Sequence, residues 1–357
     1  MKNLLTLLGI VVLLVLVIGF YGYAASRVDP VSWTAGPNPG FTGEFAHNNK
    51  LGETEYLLSG AGIGPEDVTL GPDNLFYAGY NDGRIVRFNA TGQHSDFANT
   101  EGRPLGLEFD AAGNLIVADA RRGLLSISPE AEVTVLTNTV NGEPLLFVDD
   151  LDIAADGTIY FSDASTHHAF SESIYIFIEA DHSGRLLAYE PASGETTVQL
   201  DGLFFANGIA VGPDEQYVLI AETGAGRISR YWLAGSKQGE RDFFFDGFPA
   251  APDNISFNGK DTFWVAFAGV RDREFEALSD KPLLRRFIGA LPRKSLMREI
   301  SHYAFIVGLD LNGNVAHNLQ DPQSRIGTLT SAKQFGDKLM IGSLATDAVG
   351  VYSLATD

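Results

Sequence analysis

The sequence predicts an all-β fold, a six-bladed β-propeller, preceded by an N-terminal transmembrane or signal-anchor helix. Three observations support this prediction: a long apolar run near the N-terminus, a strand-and-turn motif that recurs six times, and 39 glycines alongside few long helical patterns. We therefore divide the chain, in order, into an anchor or signal segment (1–25), a linker (26–48) and the propeller (49–357), with insertions at 165–182 and 279–300.

The first predicted element is the apolar run over residues 4–20, in which Thr6 is the only polar side chain. Extended to Ala25, the run reaches the ~20 residues that a helix needs to span a bilayer. The small-x-small pattern GYA (22–24) leaves a cleaved signal peptide open as the alternative. We expect the membrane as a partner through this helix, with the propeller outside the cytoplasm, or a secreted protein if residues 1–24 are cleaved.

Beyond a linker that contains several prolines and glycines, one motif recurs along the chain, as in PLGLEFDAAGNLIVADARRGLLSI from Pro104. Alternating apolar residues and turns with Gly, Asn or Asp are typical of strands joined by hairpins. Spacings near 40–45 residues fit a four-stranded propeller blade. The first matched positions of the six copies are Glu66, Leu105, Asp149, Asn207, Asp253 and Thr330. The segment 56–58 is predicted to add an outer strand to the last blade and so close the ring.

Two longer spacings between copies require insertions. Residues 165–182 are apolar and aromatic, whereas 279–300 predict a helix with an apolar side and several basic residues. The apolar side would consist of Leu283, Leu284, Phe287, Ile288 and Leu291. This helix is expected to cap one end of the propeller, or to act as a lid or a membrane-contacting surface.

Composition excludes several classes of function. The formal net charge is −20, from 45 acidic and 25 basic residues, which disfavours nucleic acid as a partner. The absence of cysteine excludes disulfides, zinc–thiolate sites and a cysteine nucleophile. An acidic chain suits hard cations, although a solvated acidic surface is the simpler explanation of the charge.

The matched positions bring oxygen donors together. In a propeller the innermost strand of each blade lines the central channel, so residues just before it converge at the channel mouth. Glu66, Asp149, Asn207 and Asp253 all offer the oxygens that Ca²⁺ prefers. Three converging carboxylates without a cation would raise one another's pKa. We therefore predict a calcium ion at this upper set.

The residues that follow these positions form a second set. Asp67 and Asp150 can hold another ion below the first, and Asn254 lies beside the upper set. At any single position, the alternative is an ordinary turn or strand-cap residue, since Asp and Asn are common there.

Four segments share the order and spacing of motifs with a known family: NGIAVGPDEQYVLIAETGAGRISRYWLAGSKQG (207–239), PAAPDNISF, RPLGLEFDAAGNLIVADARRGL and HYAFIVGLDLNGNV. Over about residues 50–355 the chain resembles the strictosidine synthase-like family, in particular its membrane-anchored branch. Wider relatives are the paraoxonase-type lactonases and the gluconolactonases, all six-bladed propellers. The resemblance implies a catalytic calcium at Glu66, Asp149, Asn207 and Asp253 with Asn254, where Asp149 replaces an Asn. It also implies a structural calcium at Asp67, Asp150 and the carbonyl of Leu107.

Two departures from the family pattern bear on function. Thr330 stands where the condensing enzymes of the family have a glutamate base, and Leu105 stands where the lactonases have a histidine. His167 and His168 lie in a channel-side loop and are candidates for the missing histidine.

The predicted function is calcium-dependent hydrolysis of a small-molecule ester or lactone. The metal would polarise the carbonyl, and Asp149, Asp253, His167 or His168 would act as the base. The alternatives are a non-catalytic, membrane-displayed binding propeller and a condensing enzyme, which Thr330 disfavours.

Overall fold

The computed structural model describes residues 2–297 and 302–354. Met1, residues 298–301 and residues 355–357 lie outside the described residues, and with them the end of the insertion 279–300 and the last residues of the predicted propeller. The chain divides into two compact units. The helical unit contains Met1–Ala35, Glu172–Asp181 and Asp272–Glu299, and the propeller unit contains Gly36–Ser171, His182–Arg271 and Ile300–Asp357.

The propeller unit has six four-stranded antiparallel sheets within the described residues. The strands are numbered in chain order, beginning with β1 (Glu55–Leu57); blade one contains β2 (Val68–Leu70), β3 (Phe76–Gly79), β4 (Arg84–Phe88) and β5 (His94–Asn99), and blade two contains β6 (Pro104–Phe109), β7 (Leu115–Asp119), β8 (Gly123–Ile127) and β9 (Val133–Thr137). A hairpin of β10 (Thr139–Val140) and β11 (Glu143–Pro144) leads to blade three, which contains β12 (Val148–Ile153), β13 (Ile159–Asp163), β14 (Gly184–Glu190) and β15 (Glu195–Leu203). Blade four contains β16 (Ala206–Val211), β17 (Tyr217–Glu222), β18 (Arg227–Trp232) and β19 (Arg241–Asp246), blade five contains β20 (Ala250–Phe257), β21 (Thr262–Val270), β22 (Ala304–Asp310) and β23 (Val315–Asp321), and blade six contains β24 (Leu329–Phe335), β25 (Lys338–Ser343) and β26 (Val349–Ser353). The first strand of each blade packs on the first strand of the next, and β24 returns to β2. The prediction of a six-bladed propeller is thus confirmed.

The ring closes in blade six through strands that are far apart in the chain. β1 pairs antiparallel with β26, with Glu55 opposite Val351 and Leu57 opposite Val349. The prediction that residues 56–58 supply the outer strand of the last blade is confirmed. Four-stranded blades therefore leave no unpaired gap where the two ends of the ring meet.

The predicted linker is packed against the propeller along its second half. Phe45, in a short 3₁₀ turn (Gly43–Phe45), is 1% exposed and belongs to the core between blades four and five. Its ring lies edge-on to Phe248 and Phe305. Burying a phenylalanine ring contributes about 1.5–3 kcal/mol, so residues 36–48 are part of the folded unit rather than a free tether.

The helical unit joins three separated stretches of chain. Its helices are α1 (Lys2–Ala25), α2 (Ser173–Glu179), α3 (Arg273–Glu276), α4 (Pro282–Gly289) and α5 (Arg293–Leu296). Val28, Tyr175 and Ile178 form its small apolar core. The insertion 279–300, predicted as one helix, is broken into α4 and α5 in its described part, because Pro292 ends the helical hydrogen bonding.

The apolar side predicted for that insertion is only partly buried: Ile288 packs against the core of the helical unit. Leu283, Leu284 and Phe287 are exposed, whereas Arg285 is fully buried. Its guanidinium donates to the carbonyls of Ile178 (2.9 Å) and Leu278 (3.2 Å). Arg285 therefore ties the two insertions together, and it does not contribute to an exposed basic surface.

No helix formed by the described residues combines the length and apolar character that crossing a membrane requires. The membrane anchor over residues 1–25 stays a prediction.

Candidate metal centre

Two-residue bulges position the predicted ring. In each innermost strand of blades two to six, two residues face one residue of the neighbouring strand. The bulged pairs are Leu105-Gly106, Asp149-Asp150, Asn207-Gly208, Asp253-Asn254 and Thr330-Ser331, and Glu66-Asp67 immediately precede β2. A bulge re-aims side chains away from the ladder, so these are the same six positions that the repeat predicted.

The upper set is buried and electrostatically coupled. Glu66, Asp149 and Asp253 are 1%, 3% and 6% exposed. Burial, then the charges of Asp253, Asp67 and Asp149, hold the pKa of Glu66 well above its usual range. Burial and the neighbouring carboxylates of Asp253 and Asp150 likewise raise the pKa of Asp149. Burial raises the pKa of Asp253 to about 7, against a hydrogen bond from Asn207 that lowers it. The three predicted carboxylates therefore do lie close enough to interact.

Three oxygens of this set have no hydrogen-bond partner although they are buried. They are Glu66 Oε2, Asn207 Oδ1 and Asn254 Oδ1. The Asn254 side chain also donates to Glu66 Oε1 at 3.2 Å, which places its amide against the carboxylate. Buried oxygens of this kind are costly unless something binds them, and hard cations bind carboxylate and amide oxygens. The upper set thus fits a calcium ion by its donor chemistry.

Acidic side chains alone do not make this site. Within residues 2–297 and 302–354, no group of three or more His, Asp and Glu side chains has the arrangement of a metal site. The fit of the upper set therefore depends on the amide oxygens of Asn207 and Asn254 together with the carboxylates.

Arg103 is a member of the site that sequence reasoning missed. It is fully buried, its Nη1 donates to Gly64 O at 3.0 Å, and its Nε and Nη2 have no hydrogen-bond partner. Its positive charge lowers the pKa of both Glu66 and Asp149, and burial lowers its own pKa. The available signal was an arginine directly before Pro104, the first residue of an innermost strand.

The lower set differs from the predicted structural calcium site. Lys333 Nζ donates to Asp67 Oδ2 and to the carbonyl of Leu107, both at 2.8 Å. These are two of the three groups assigned to that ion, and the third, Asp150, accepts a 2.9 Å hydrogen bond from the backbone of Ile209. The lower carboxylates therefore bind a lysine and the backbone of neighbouring blades, an arrangement that the sequence prediction did not include.

The two candidate histidines, His167 and His168, lie in the loop that follows β13. β13 ends at Asp163, which pairs with Val148, so this loop begins at the same end of blade three as Asp149. The backbone of Ala164 donates to Phe147 O at 2.8 Å, which fixes the start of their loop beside β12. Ser165 Oγ accepts from the backbone N–H groups of His167 (3.0 Å) and His168 (2.9 Å). The side chain of His168 is buried and that of His167 is exposed. Their role as a base stays a prediction.

Thr330 lies at the bulge of blade six, as the repeat predicted, but its hydroxyl is already engaged. Its Oγ1 donates to the carbonyl of Glu66 at 2.6 Å, and the residue is 1% exposed. Thr330 offers a hydroxyl where the condensing enzymes have a carboxylate. A hydroxyl does not accept a proton as a glutamate base does, so Thr330 lacks the chemistry that a condensing enzyme needs.

Solved structures share the fold. A gluconolactonase from Xanthomonas campestris superposes with a TM-score of 0.63 at 16% identity, over 91% of this chain and 99% of that one. A calcium-binding protein, regucalcin, from Agrobacterium tumefaciens superposes with a TM-score of 0.57 at 13% identity, over 90% and 96% of the two chains. At these identities the similarity establishes the propeller architecture alone.

Sequence relatives are closer. The strictosidine synthase family profile matches residues 149–236, and the profile for the N-terminal part of strictosidine synthase-like proteins matches residues 43–88. Adipocyte plasma membrane-associated protein from Danio rerio is 32% identical over 96% of this chain and 87% of its own length. Strictosidine synthase-like 4 from Arabidopsis thaliana is 33% identical over 81% and 79%. The chain therefore belongs to the strictosidine synthase-like family, together with the adipocyte plasma membrane-associated proteins.

Proposed function

We propose that the propeller is a calcium-dependent hydrolase of esters or lactones, with the ion bound at the upper set. The observation that carries this proposal is the group of buried, unpartnered oxygens on Glu66, Asn207 and Asn254. Two carboxylates, Asp149 and Asp253, complete the proposed ligands. Two structural neighbours with this architecture support the proposal: the gluconolactonase favours a lactonase-type hydrolase, and regucalcin, named as a calcium-binding protein, favours the ion.

The charge of the site supports a divalent ion. Glu66, Asp149 and Asp253 supply three negative charges when ionised, and Arg103 supplies one positive charge. The remainder is two negative charges, which one Ca²⁺ neutralises. A bound cation would therefore offset the repulsion that now helps to raise the pKa values of Glu66 and Asp149.

The chemistry divides between metal and chain. Bound Ca²⁺ supplies a Lewis acid that polarises a carbonyl and stabilises an oxyanion. The chain must then accept a proton from the attacking water. Asp253, Asp149, His167 and His168 are the candidates for this acceptor.

The proposal is tested with the full chain and a panel of aryl esters and lactones, before and after removal of metal with EDTA. Turnover should disappear on chelation and return with Ca²⁺. Asp253→Asn should abolish both turnover and calcium binding. Asp261→Asn changes an exposed acid in the turn between β20 and β21 of the same blade and should leave both unchanged.

Two outcomes decide against calcium-dependent hydrolysis. Turnover that survives complete chelation contradicts the calcium mechanism. A panel without turnover, combined with a melting temperature that still depends on calcium, would make the protein a binding propeller in which calcium has only a structural role.

For localisation, we propose that α1 anchors the protein in a membrane and that the propeller lies outside the cytoplasm. Support comes from the apolar run over residues 4–20 and from relatives named as plasma membrane-associated. In the helical unit, α4 also exposes Leu283 and Phe287. The protein should stay in the membrane fraction after an alkaline carbonate wash, and protease added to intact cells or spheroplasts should digest the propeller. Recovery of a chain that starts at residue 25 would indicate cleavage and secretion instead.

A further inference from the structure

Lys333 lies in the propeller unit, on β24, the innermost strand of blade six. Its ammonium donates to Asp67 Oδ2 and Leu107 O at 2.8 Å and to Glu108 Oε2 at 3.3 Å. An ammonium has three N–H donors, so these contacts use all of them. The acceptors belong to blades one and two, whereas Lys333 is the contribution of blade six.

Several acids surround this ammonium. Asp67 and Glu108 contact it directly, and its charge lowers the pKa of Asp150 and Asp152 against the larger effect of their burial. The side chain of Lys333 is 14% exposed and that of Asp67 is fully buried. Lys333 is thus the positive charge placed among the acids of the first three blades.

The acids are held in place by the backbone of the neighbouring blades. Leu107 N–H donates to Asp67 at 3.0 Å, and Ile209 N–H donates to Asp150 at 2.9 Å. Each carboxylate therefore fastens its own blade to the next. One oxygen of the lower set, Asp67 Oδ1, is buried without a hydrogen-bond partner. Asp67 Oδ2 and the carbonyl of Leu107 already bind Lys333, and Asp150 Oδ2 already accepts from the backbone of Ile209.

We infer that the Lys333 ammonium is the permanent cation of the lower channel and replaces a structural metal ion there, so that the channel binds a single divalent ion, at the upper set. Calcium requires oxygens at about 2.3–2.6 Å. An ion at that distance from Asp67 Oδ2 and Leu107 O would share both atoms with an ammonium, and two cations so close would repel strongly. Chelation is therefore expected to empty the upper set while the lower channel stays neutralised.

The test counts calcium ions bound to the chelator-treated full chain by equilibrium dialysis. The wild type and Asp67→Asn should bind the same number of ions. Lys333→Ala should bind one ion more than the wild type, and adding Asp67→Asn to it should remove that ion. Lys338→Ala, which removes an exposed lysine from the adjacent strand β25, should keep the wild-type count.

Melting curves give a second readout. Lys333→Ala should lose stability in EDTA and regain it when Ca²⁺ is added, because an ion then occupies the place of the ammonium. The inference is overturned if Asp67→Asn lowers the count of the wild type by one, or if Lys333→Ala gains neither an ion nor calcium-dependent stability. If Lys333→Ala does not fold, the comparison of the wild type with Asp67→Asn still decides.

These readouts do not require turnover. If the wild type binds no calcium at all, the proposed upper site fails, while the gain of an ion by Lys333→Ala still supports the lower-site inference.

Discussion

The backbone N–H of Ile209, on blade four, donates a 2.9 Å hydrogen bond to Asp150 Oδ2, on blade three. Asp149, the preceding residue in the same bulge, belongs to the upper set and has no such bond to a neighbouring blade among those described. Two adjacent acids therefore have different tasks, and substitutions should separate them.

The first prediction concerns this pair. Asp150→Ala should lower the free energy of unfolding by about 1.5–3 kcal/mol, because it removes a buried hydrogen bond to a charged group. Asp149→Ala should have a smaller effect on stability but should abolish calcium binding and turnover. Urea denaturation and calorimetric titration measure the two effects. Equal effects of both substitutions on both readouts would contradict the division of tasks.

The second prediction concerns Gly208, the partner of Asn207 in the bulge of blade four. A Cβ atom there would lie 2.4 Å from Ile255 N and 2.6 Å from Asn254 Cα. Gly208→Ala should therefore displace the bulge of blade five, cost about 1–3 kcal/mol of stability and weaken calcium binding.

Gly269→Ala is the matched control for this substitution. A Cβ atom at Gly269, in the second strand of the same blade five, would meet no atom within 4 Å. Both variants are compared by thermal melting and calcium titration. If Gly208→Ala binds calcium as the wild type does, the close approach of the two bulges is not needed for the site.

The third prediction concerns pH. Burial raises the pKa of Asp253 to about 7, from about 3.9 in an unfolded chain. Folding of the metal-free protein therefore takes up a proton, and the stability linked to it is present below about pH 4 and is lost as the pH rises to about 7. In EDTA, the melting temperature should fall across this window, and Asp253→Asn should make the fall shallower. Parallel profiles for the two proteins would contradict this assignment.

The fourth prediction concerns Arg103. Arg103→Met removes the positive charge beside Glu66 and Asp149 while largely keeping the side-chain volume. Metal-free stability at neutral pH should fall, and calcium affinity should rise on the order of tenfold, since 1.4 kcal/mol corresponds to a factor of ten. Arg87→Met, a half-buried arginine on β4 of blade one, serves as the control. Unchanged calcium affinity in Arg103→Met would show that the guanidinium does not influence the ion.

The sequence predicted the ring because its members occupy one place in a repeated unit. Asp149, Asn207 and Asp253 each begin a bulge in an innermost strand, and the repeat period alone aligns them. The positions of the carboxylates and amides therefore followed from local pattern and did not require knowledge of long-range contacts.

The cations of the channel could not be predicted in this way. Lys333 meets Asp67 across a separation of 266 residues. Lys333 lies beyond the bulge of its strand. No site residue was predicted at the equivalent position of any other blade. Its role depends on which side chains of other blades face it, and no period in the sequence encodes this.

The helical unit shows the same limit. The apolar periodicity of 279–300 was real, but the covering segments come from elsewhere in the chain. Arg285 is buried because its guanidinium lies 4.3 Å from the ring of Trp33 and binds the carbonyl of Ile178. A helix whose surroundings are assembled from distant segments can bury its polar side, and amphipathicity alone does not reveal this.

The pairing of β1 with β26 sets the order in which this propeller can be completed. The acids of blades one to three leave the ribosome before blade six, which brings both Lys333 and the last strand that joins β1. During synthesis, the lower acids of blades one to three therefore precede both Lys333 and the strand that closes the ring. The Lys333 counter-charge of the lower set and the closure of the ring therefore both depend on blade six.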